Sequence, residues 1–230
     1  MTADEQALKE IASLREMLAS APRPVGWDNR RARLDEVGTF WPVADDIAYE
    51  SVECGAVSGE WSIAPGSDPA KVLLYFHGGV YCSGSIKSHR RLVTEAGRNA
   101  GMRTLAIDYR RAPEHPFPAQ HEDALSAWSF LIRQGIEPKH IALGGDSAGG
   151  NLALSLVNRL QEAGKPLPAC AWLVSPWTDL TMSGSSLAVK EAIDPIIHAA
   201  YLEELASAYV PAAMDRSDPL ISPLFLNFNG

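Results

Sequence analysis

The stretch that decides the reading of this chain is Gly144-Gly145-Asp146-Ser147-Ala148-Gly149-Gly150. It follows the apolar run His140–Leu143 and opens the helical pattern Ala148–Ala163. A serine at a strand-to-helix junction, flanked by Gly145 and Gly149, fits a turn that brings neighbouring backbone too close for a Cβ. The helix start behind Ser147 favours negative charge developing there. The competing reading is a glycine-rich βα turn without chemistry. A phosphate-binding loop is disfavoured, because no Gly-Lys-Ser/Thr follows and the spacing Gly-x-Gly-x-x-Gly is not met.

Upstream, His77-Gly78-Gly79-Val80-Tyr81-Cys82-Ser83-Gly84-Ser85 follows the apolar run Lys71–Phe76. Successive glycines let backbone N–H groups approach a substrate oxygen. In acyl transfer that oxygen becomes an anion, and a preorganised donor offsets ~3 kcal/mol. Gly78, Gly79 and Ala148 are the donors expected from this pattern.

Lys71–Phe76, Arg103–Ile107, His140–Leu143 and Ala169–Val174 are short apolar runs with helical patterns between them, over Lys87–Asn99, Pro118–Gln134 and Ala148–Ala163. Ala124, Trp128, Leu131 and Ile132 share one face of the second pattern. Such alternation implies parallel βαβ units, with strands covered on both faces by helices. Ile47–Cys54 and Glu60–Ala64, separated by glycines, read as a hairpin at the sheet's start. Leu8, Ile11, Leu14 and Leu18 recur at helical spacing, so the first twenty residues read as an amphipathic helix ended by Pro22 and Pro24. Beyond Trp177 the strand rhythm stops, and Leu187 to Tyr209 reads as one or two helices.

The 230 residues are 46% apolar and 21% charged, which excludes disorder and fits one globular domain. A net charge of −8 without a basic stripe argues against a nucleic-acid partner. No apolar run approaches the ~20 residues of a membrane span. Asp4, Glu5 and Glu10 stand where a secretory signal would be basic and then apolar, and Cys54, Cys82 and Cys170 form no CxxC pair. A reducing cytoplasm is expected. His115 and His121 lack metal-helix spacing and no His-Glu-x-x-His exists, so no metal and no cofactor are expected.

Together, His77-Gly78-Gly79, Tyr109-Arg110-Arg111-Ala112-Pro113-Glu114-His115-Pro116-Phe117-Pro118-Ala119, Gly145-Asp146-Ser147-Ala148-Gly149-Gly150-Asn151 and Ser175-Pro176-Trp177-Thr178-Asp179-Leu180 resemble the hormone-sensitive-lipase-like (bacterial family IV) group of α/β-hydrolase carboxylesterases and lipases. The resemblance runs from about Ile47 to Pro223. It implies an α/β-hydrolase fold, with a mostly parallel sheet, helices on both faces and a helical cap. The cap would comprise residues 1–45 and about 181–215, over a core of about 46–180. It further implies a carboxylic ester hydrolase working through an acyl-serine on short- to medium-chain esters. Ser147 would be its nucleophile, and Gly78, Gly79 and Ala148 its oxyanion hole.

Val80 stands where many members have a third glycine. The resemblance makes His77 a structural residue that fixes the loop. Asp146 reads as structural, with its side chain turned away from Ser147, and Arg110, Glu114 and His115 as a buried network behind the site. Tyr81, Trp177 and Leu180 are candidate substrate contacts from loop and cap.

In this fold the triad order is Ser, then acid, then His. After Ser147 only His198 remains, with Asp179 and Asp194 as candidate acids; Asp194 and His198 lie four apart on a predicted helix, where surface pairing is the plainer reading. The resembling family places its acid and histidine after a segment like Asp218–Leu224, so the chain reads as cut within the fold, with the last strands missing. A bare strand edge would then favour association into a homo-oligomer or poor solubility. The alternative function is a non-catalytic small-molecule-binding, or inactive truncated, relative.

Overall fold

The computed structural model describes residues 3–20 and 22–227. Six strands form one sheet: β1 (Ala48–Glu53), β2 (Ser58–Ile63), β3 (Asp68–Phe76), β4 (Met102–Ile107), β5 (Ile141–Asp146) and β6 (Cys170–Val174). Their order is β1-β2-β4-β3-β5-β6. β1 and β2 form the expected antiparallel hairpin, β2 joins β4 antiparallel, and β4, β3, β5 and β6 run parallel. β5 extends past the apolar run through Gly144, Gly145 and Asp146, because Gly144 and Gly145 pair with Tyr75 and Phe76 of β3.

Side chains alternate across a strand, so Leu73-Leu74-Tyr75-Phe76 feeds two cores at once. Leu74 and Phe76 join Leu105, Ile107, Ile141 and Leu143 on one face. Leu73 and Tyr75 join Val93, Ala106 and Ala142 on the other. The helices that close these faces are α3 (Ile86–Ala100), which carries Val93, and α4 (Ala119–Arg133) with α5 (Ala148–Glu162), which carry Trp128, Leu131, Leu152 and Leu156. Ile132 is the exception to the expected apolar stripe of α4: it is 38% exposed, one residue past the buried face. Ser85 starts α3 with a capping box shared with Ser88, and Gly101 ends it in the left-handed conformation.

The remaining helices are α1 (Ala3–Ser20), α2 (Trp27–Gly38), α6 (Ser185–Lys190) and α7 (Ala199–Tyr209), and residues of α1, α2 and α7 line one cavity with Ser147 at the C-terminal end of β5. Arg30 of α2 makes a two-pronged bond to Glu204 of α7 at 2.8 and 2.9 Å. Arg31 binds Glu114 and the carbonyls of Cys82 and Ala112. The stripe of α1 is not buried: Leu8 is 66% and Ile11 53% exposed. Arg15 near the end of α1 bonds the Ile193 carbonyl. Edge strand β6 departs from the expected covering on both faces, since Cys170, Ala171 and Trp172 are exposed, while β5 as its sole partner among the described residues agrees with the expected bare edge.

Candidate active site

Ser147 sits between the last residue of β5 and the first of α5, with φ 51° and ψ −118°. This is a region that costs a residue with a side chain ~1–3 kcal/mol, and the surroundings hold it there. The Ser147 N–H donates to the Val174 carbonyl at 3.0 Å, and its own carbonyl accepts from Trp177 at 2.9 Å and Asn151 at 3.2 Å. A Cβ on Gly149 would overlap the Phe76 carbonyl, and one on Gly145 would overlap the backbone of Gly149. The glycines of the motif are therefore demanded by the turn itself. No described side chain accepts a hydrogen bond from the Ser147 hydroxyl.

Ser147 opens onto a cavity of about 360 Å³, with Asp146, His89, Gly79, Val80 and Ser83 on its floor. Its upper walls come from Leu18 of α1, Arg30, Leu34 and Val37 of α2, and Ile196, Ile197, Tyr201 and Leu202 around the start of α7. The lining is mainly aliphatic and includes the arginines Arg23, Arg30 and Arg33. Arg30 is committed to Glu204, while Arg23 lies 4.1 Å over the Tyr201 ring and bonds the Ile196 carbonyl.

The expected N–H donors separate into two kinds. Gly78 is not free: its N–H donates to Asp146 Oδ1 at 2.8 Å and faces His89 Nε2 at 3.3 Å. Gly79 and its neighbour Val80 line the cavity, and neither N–H meets an acceptor among the described residues. The Ala148 N–H begins α5 and so has no acceptor in the preceding helical turn. The available set is thus Gly79, Val80 and Ala148. Val80 adopts φ 53°, a conformation easy for glycine and rare for a β-branched residue. That value was hidden from the sequence, although the two preceding glycines marked the loop.

Asp146 turns away from the hydroxyl, as expected. Burial alone would raise its carboxyl, but hydrogen bonds from His89, Tyr75 and Gly78 hold it below the usual carboxylate range. His77 is 2% exposed and stacks on Tyr109 at 4.1 Å, with Nδ1 at 2.8 Å from the Gly78 carbonyl oxygen. Burial, and then the neighbouring His89, push it down to about 3, so it is neutral and shapes the loop.

Several expected site residues lie elsewhere. Tyr81 is buried beneath the loop against Tyr209, and Leu180 is buried with its N–H donated to Ser222 Oγ. Trp177 lines a separate hollow with Asp179 and Asp194. None of the three lines the Ser147 cavity. The expected buried network around Arg110 is built with Asp123 of α4, which is fully buried and 2.8 Å away; Glu114 instead pairs with Arg31 at the surface, and His115 is exposed.

The remaining acid and histidine candidates are engaged locally. Asp179 accepts from the N–H and hydroxyl of both Thr181 and Ser183. Asp194 and His198 share no helix, because α6 ends at Lys190 and α7 begins at Ala199. Asp194 accepts from the N–H groups of Ile196 and Ile197, while His198 Nδ1 lies 3.1 Å from Glu191.

Residues 73–230 match the family of the alpha/beta hydrolase fold. The chain belongs to the α/β-hydrolase family. An acetyl-hydrolase of Streptomyces hygroscopicus is 39% identical over 209 residues, 91% of this chain and 67% of that protein. An esterase of Acinetobacter venetianus is 32% identical over 200 residues, 87% and 66% of the two chains. A crystal structure of an esterase from the bacterial hormone-sensitive lipase family superimposes with a TM-score of 0.90 at 37% identity, covering 98% of this chain and 75% of that one. This hydrolase-family chain thus spans about two thirds of the length of these curated relatives. Among its described residues no helix is long and apolar enough to cross a membrane.

Proposed function

We propose that this chain carries the nucleophile, the oxyanion donors and the acyl pocket of a carboxylic ester hydrolase. The observation that carries the reading is the placement of Ser147 in one cavity with the unbonded N–H groups of Gly79 and Val80, beside the first N–H of α5. Ser147 Oγ attacks the ester carbonyl carbon, and its proton passes to a general base. The carbonyl oxygen becomes an anion that accepts from Gly79, Val80 and Ala148. Collapse, with the base returning the proton to the leaving oxygen, expels the alcohol and leaves an acyl-serine; water, giving a proton to the same base, then cleaves it to acid and free Ser147. Asp146 and His89 line the same cavity, but they are bonded to each other, to Tyr75 and to the Gly78 turn, and neither bonds the Ser147 hydroxyl among the described residues, so these residues account for the attack and the charge but not for the base.

Residues 1–45 and about 181–215 act as the cap over the 46–180 core, because Leu18, Leu34, Val37, Ile196 and Leu202 roof the serine. A cavity of about 360 Å³ with this aliphatic wall suits short- to medium-chain acyl groups. The free, buried thiols of Cys54 and Cys82, pushed up to about 11 and about 12 by burial, suit a reducing compartment such as the cytoplasm.

The experiment is covalent labelling with a fluorophosphonate, run on the 230-residue chain and on the protein from its native source. Labelling of the native protein that Ser147→Ala abolishes supports the esterase reading. Native protein that binds esters but is never labelled would overturn it in favour of a non-catalytic binder.

A further inference from the structure

Asp146 is adjacent to the serine in sequence, yet its carboxylate reaches across to another strand. Oδ1 accepts the Gly78 N–H at 2.8 Å and the Tyr75 hydroxyl at 2.8 Å. Oδ2 lies 3.3 Å from His89 Nε2. The other ring nitrogen of His89 lies 2.8 Å from Ser88 Oγ. That hydroxyl accepts from the Ser85 N–H and donates to the Ser85 carbonyl, which ties the ring to the capped first turn of α3. The side chains are 12% exposed at His89 and 20% at Asp146, so water competes weakly for these bonds. A Cβ on Gly78 would overlap Asp146 Oδ2, so the carboxylate fills the space a side chain would need.

We propose that Asp146 and His89 form a positioning pair, which clamps the Gly78 turn between the end of β5 and the start of α3 and so keeps the Gly79 and Val80 amides turned to the Ser147 cavity. The inference rests on the reading of Ser147 as nucleophile. It assigns neither residue a contact with substrate. By occupying the Gly78 N–H, the carboxylate decides which amides of the loop remain free. One carboxylate oxygen serves both an amide and a phenol donor, and the other faces the imidazole. An asparagine in its place keeps the first oxygen as an acceptor, whereas an alanine keeps nothing.

The test uses the isotope-labelled 230-residue chain and three variants, Asp146→Ala, Asp146→Asn and His89→Phe, with circular dichroism to establish that each is folded. In D146A the amide resonances of Gly78, Gly79 and Val80 are expected to move, and hydrogen exchange at Gly78, whose N–H loses its acceptor, is expected to speed up by about tenfold or more. Fluorophosphonate labelling of Ser147 should slow by about tenfold or more, since losing one oxyanion donor costs about 10²–10³ in rate. D146N should recover most of both. Unchanged exchange at Gly78 in folded D146A, or altered exchange with an unaltered labelling rate, overturns the proposal. Should D146A not fold, H89F decides: faster Gly78 exchange supports the clamp and wild-type exchange overturns it. If the wild-type chain is not labelled, that failure falls on the nucleophile reading, and amide exchange alone judges the clamp.

Discussion

The rings of Tyr81 and Tyr209 stack with centroids 3.9 Å apart and planes 12° from parallel. The pair joins the loop that carries the free amides to helix α7, and Tyr81 holds φ 62° to make the contact. The Tyr209 hydroxyl meets His121 Nε2 at 3.0 Å, and the Phe117 ring meets Tyr209 edge-on. A helix roofing the cavity is thereby fastened to its floor.

Tyr209→Ala removes a fully buried ring and should cost about 3–5 kcal/mol. Tyr209→Phe keeps the stack, gives up one hydrogen bond and should cost about 1 kcal/mol. Urea unfolding followed by tryptophan fluorescence measures both. A loss below about 1 kcal/mol in the alanine variant would show that α7 is not held by this contact.

Gly149→Ala places a methyl group against the Phe76 carbonyl, at the point where α5 crosses the end of β3. Backbone cannot yield as a side chain does, so a loss of about 3 kcal/mol or more is expected. An unchanged denaturation midpoint would mean that the elbow is looser than its geometry implies.

His77 and His121 are both buried and held neutral, each pushed down to about 3, chiefly by burial. In the unfolded chain each titrates near 6.5. Between these values the unfolded state binds more protons, so stability is complete above about pH 6.5 and falls as pH drops. The slope should approach about 2.7 kcal/mol per pH unit once both are protonated on unfolding. Urea midpoints from pH 7.5 down to pH 5 stay above most carboxylate titration. His121→Gln should roughly halve the slope, and a flat wild-type profile would sink the assignment.

β6 presents an edge with Trp172 39% exposed, and Leu167, in the segment just before it, is 42% exposed. Self-association that rises with concentration is expected, because an unpaired edge strand is a template for another. Trp172→Lys should shift sedimentation toward the monomer; an identical distribution for both forms would place any association elsewhere.

Much of the fold is legible along the chain because its signals are local. The Leu73-Leu74-Tyr75-Phe76 alternation, the apolar runs of β4 and β5, and the capping serine and closing glycine of α3 each act within a few residues. Gly145 and Gly149 likewise report the elbow, since the crowding they relieve arises at that turn. The stripe Leu8, Ile11, Leu14 misled because helical spacing shows that a face is apolar without showing what lies against it.

The sequence by itself determined the α/β rhythm, the strained serine turn and the glycine loop, all set by backbone sterics over short spans. Only the tertiary structure decided which amides are free, that Val80 rather than Gly78 turns to the cavity, and that Tyr81, Trp177 and Leu180 stand apart from it. It also replaced the expected Asp194–His198 pairing with Glu191–His198. The physical reason is parallel pairing: β3 beside β5 brings Asp146 within 2.8 Å of a Gly78 amide 68 residues away, and no local pattern encodes a contact made by register.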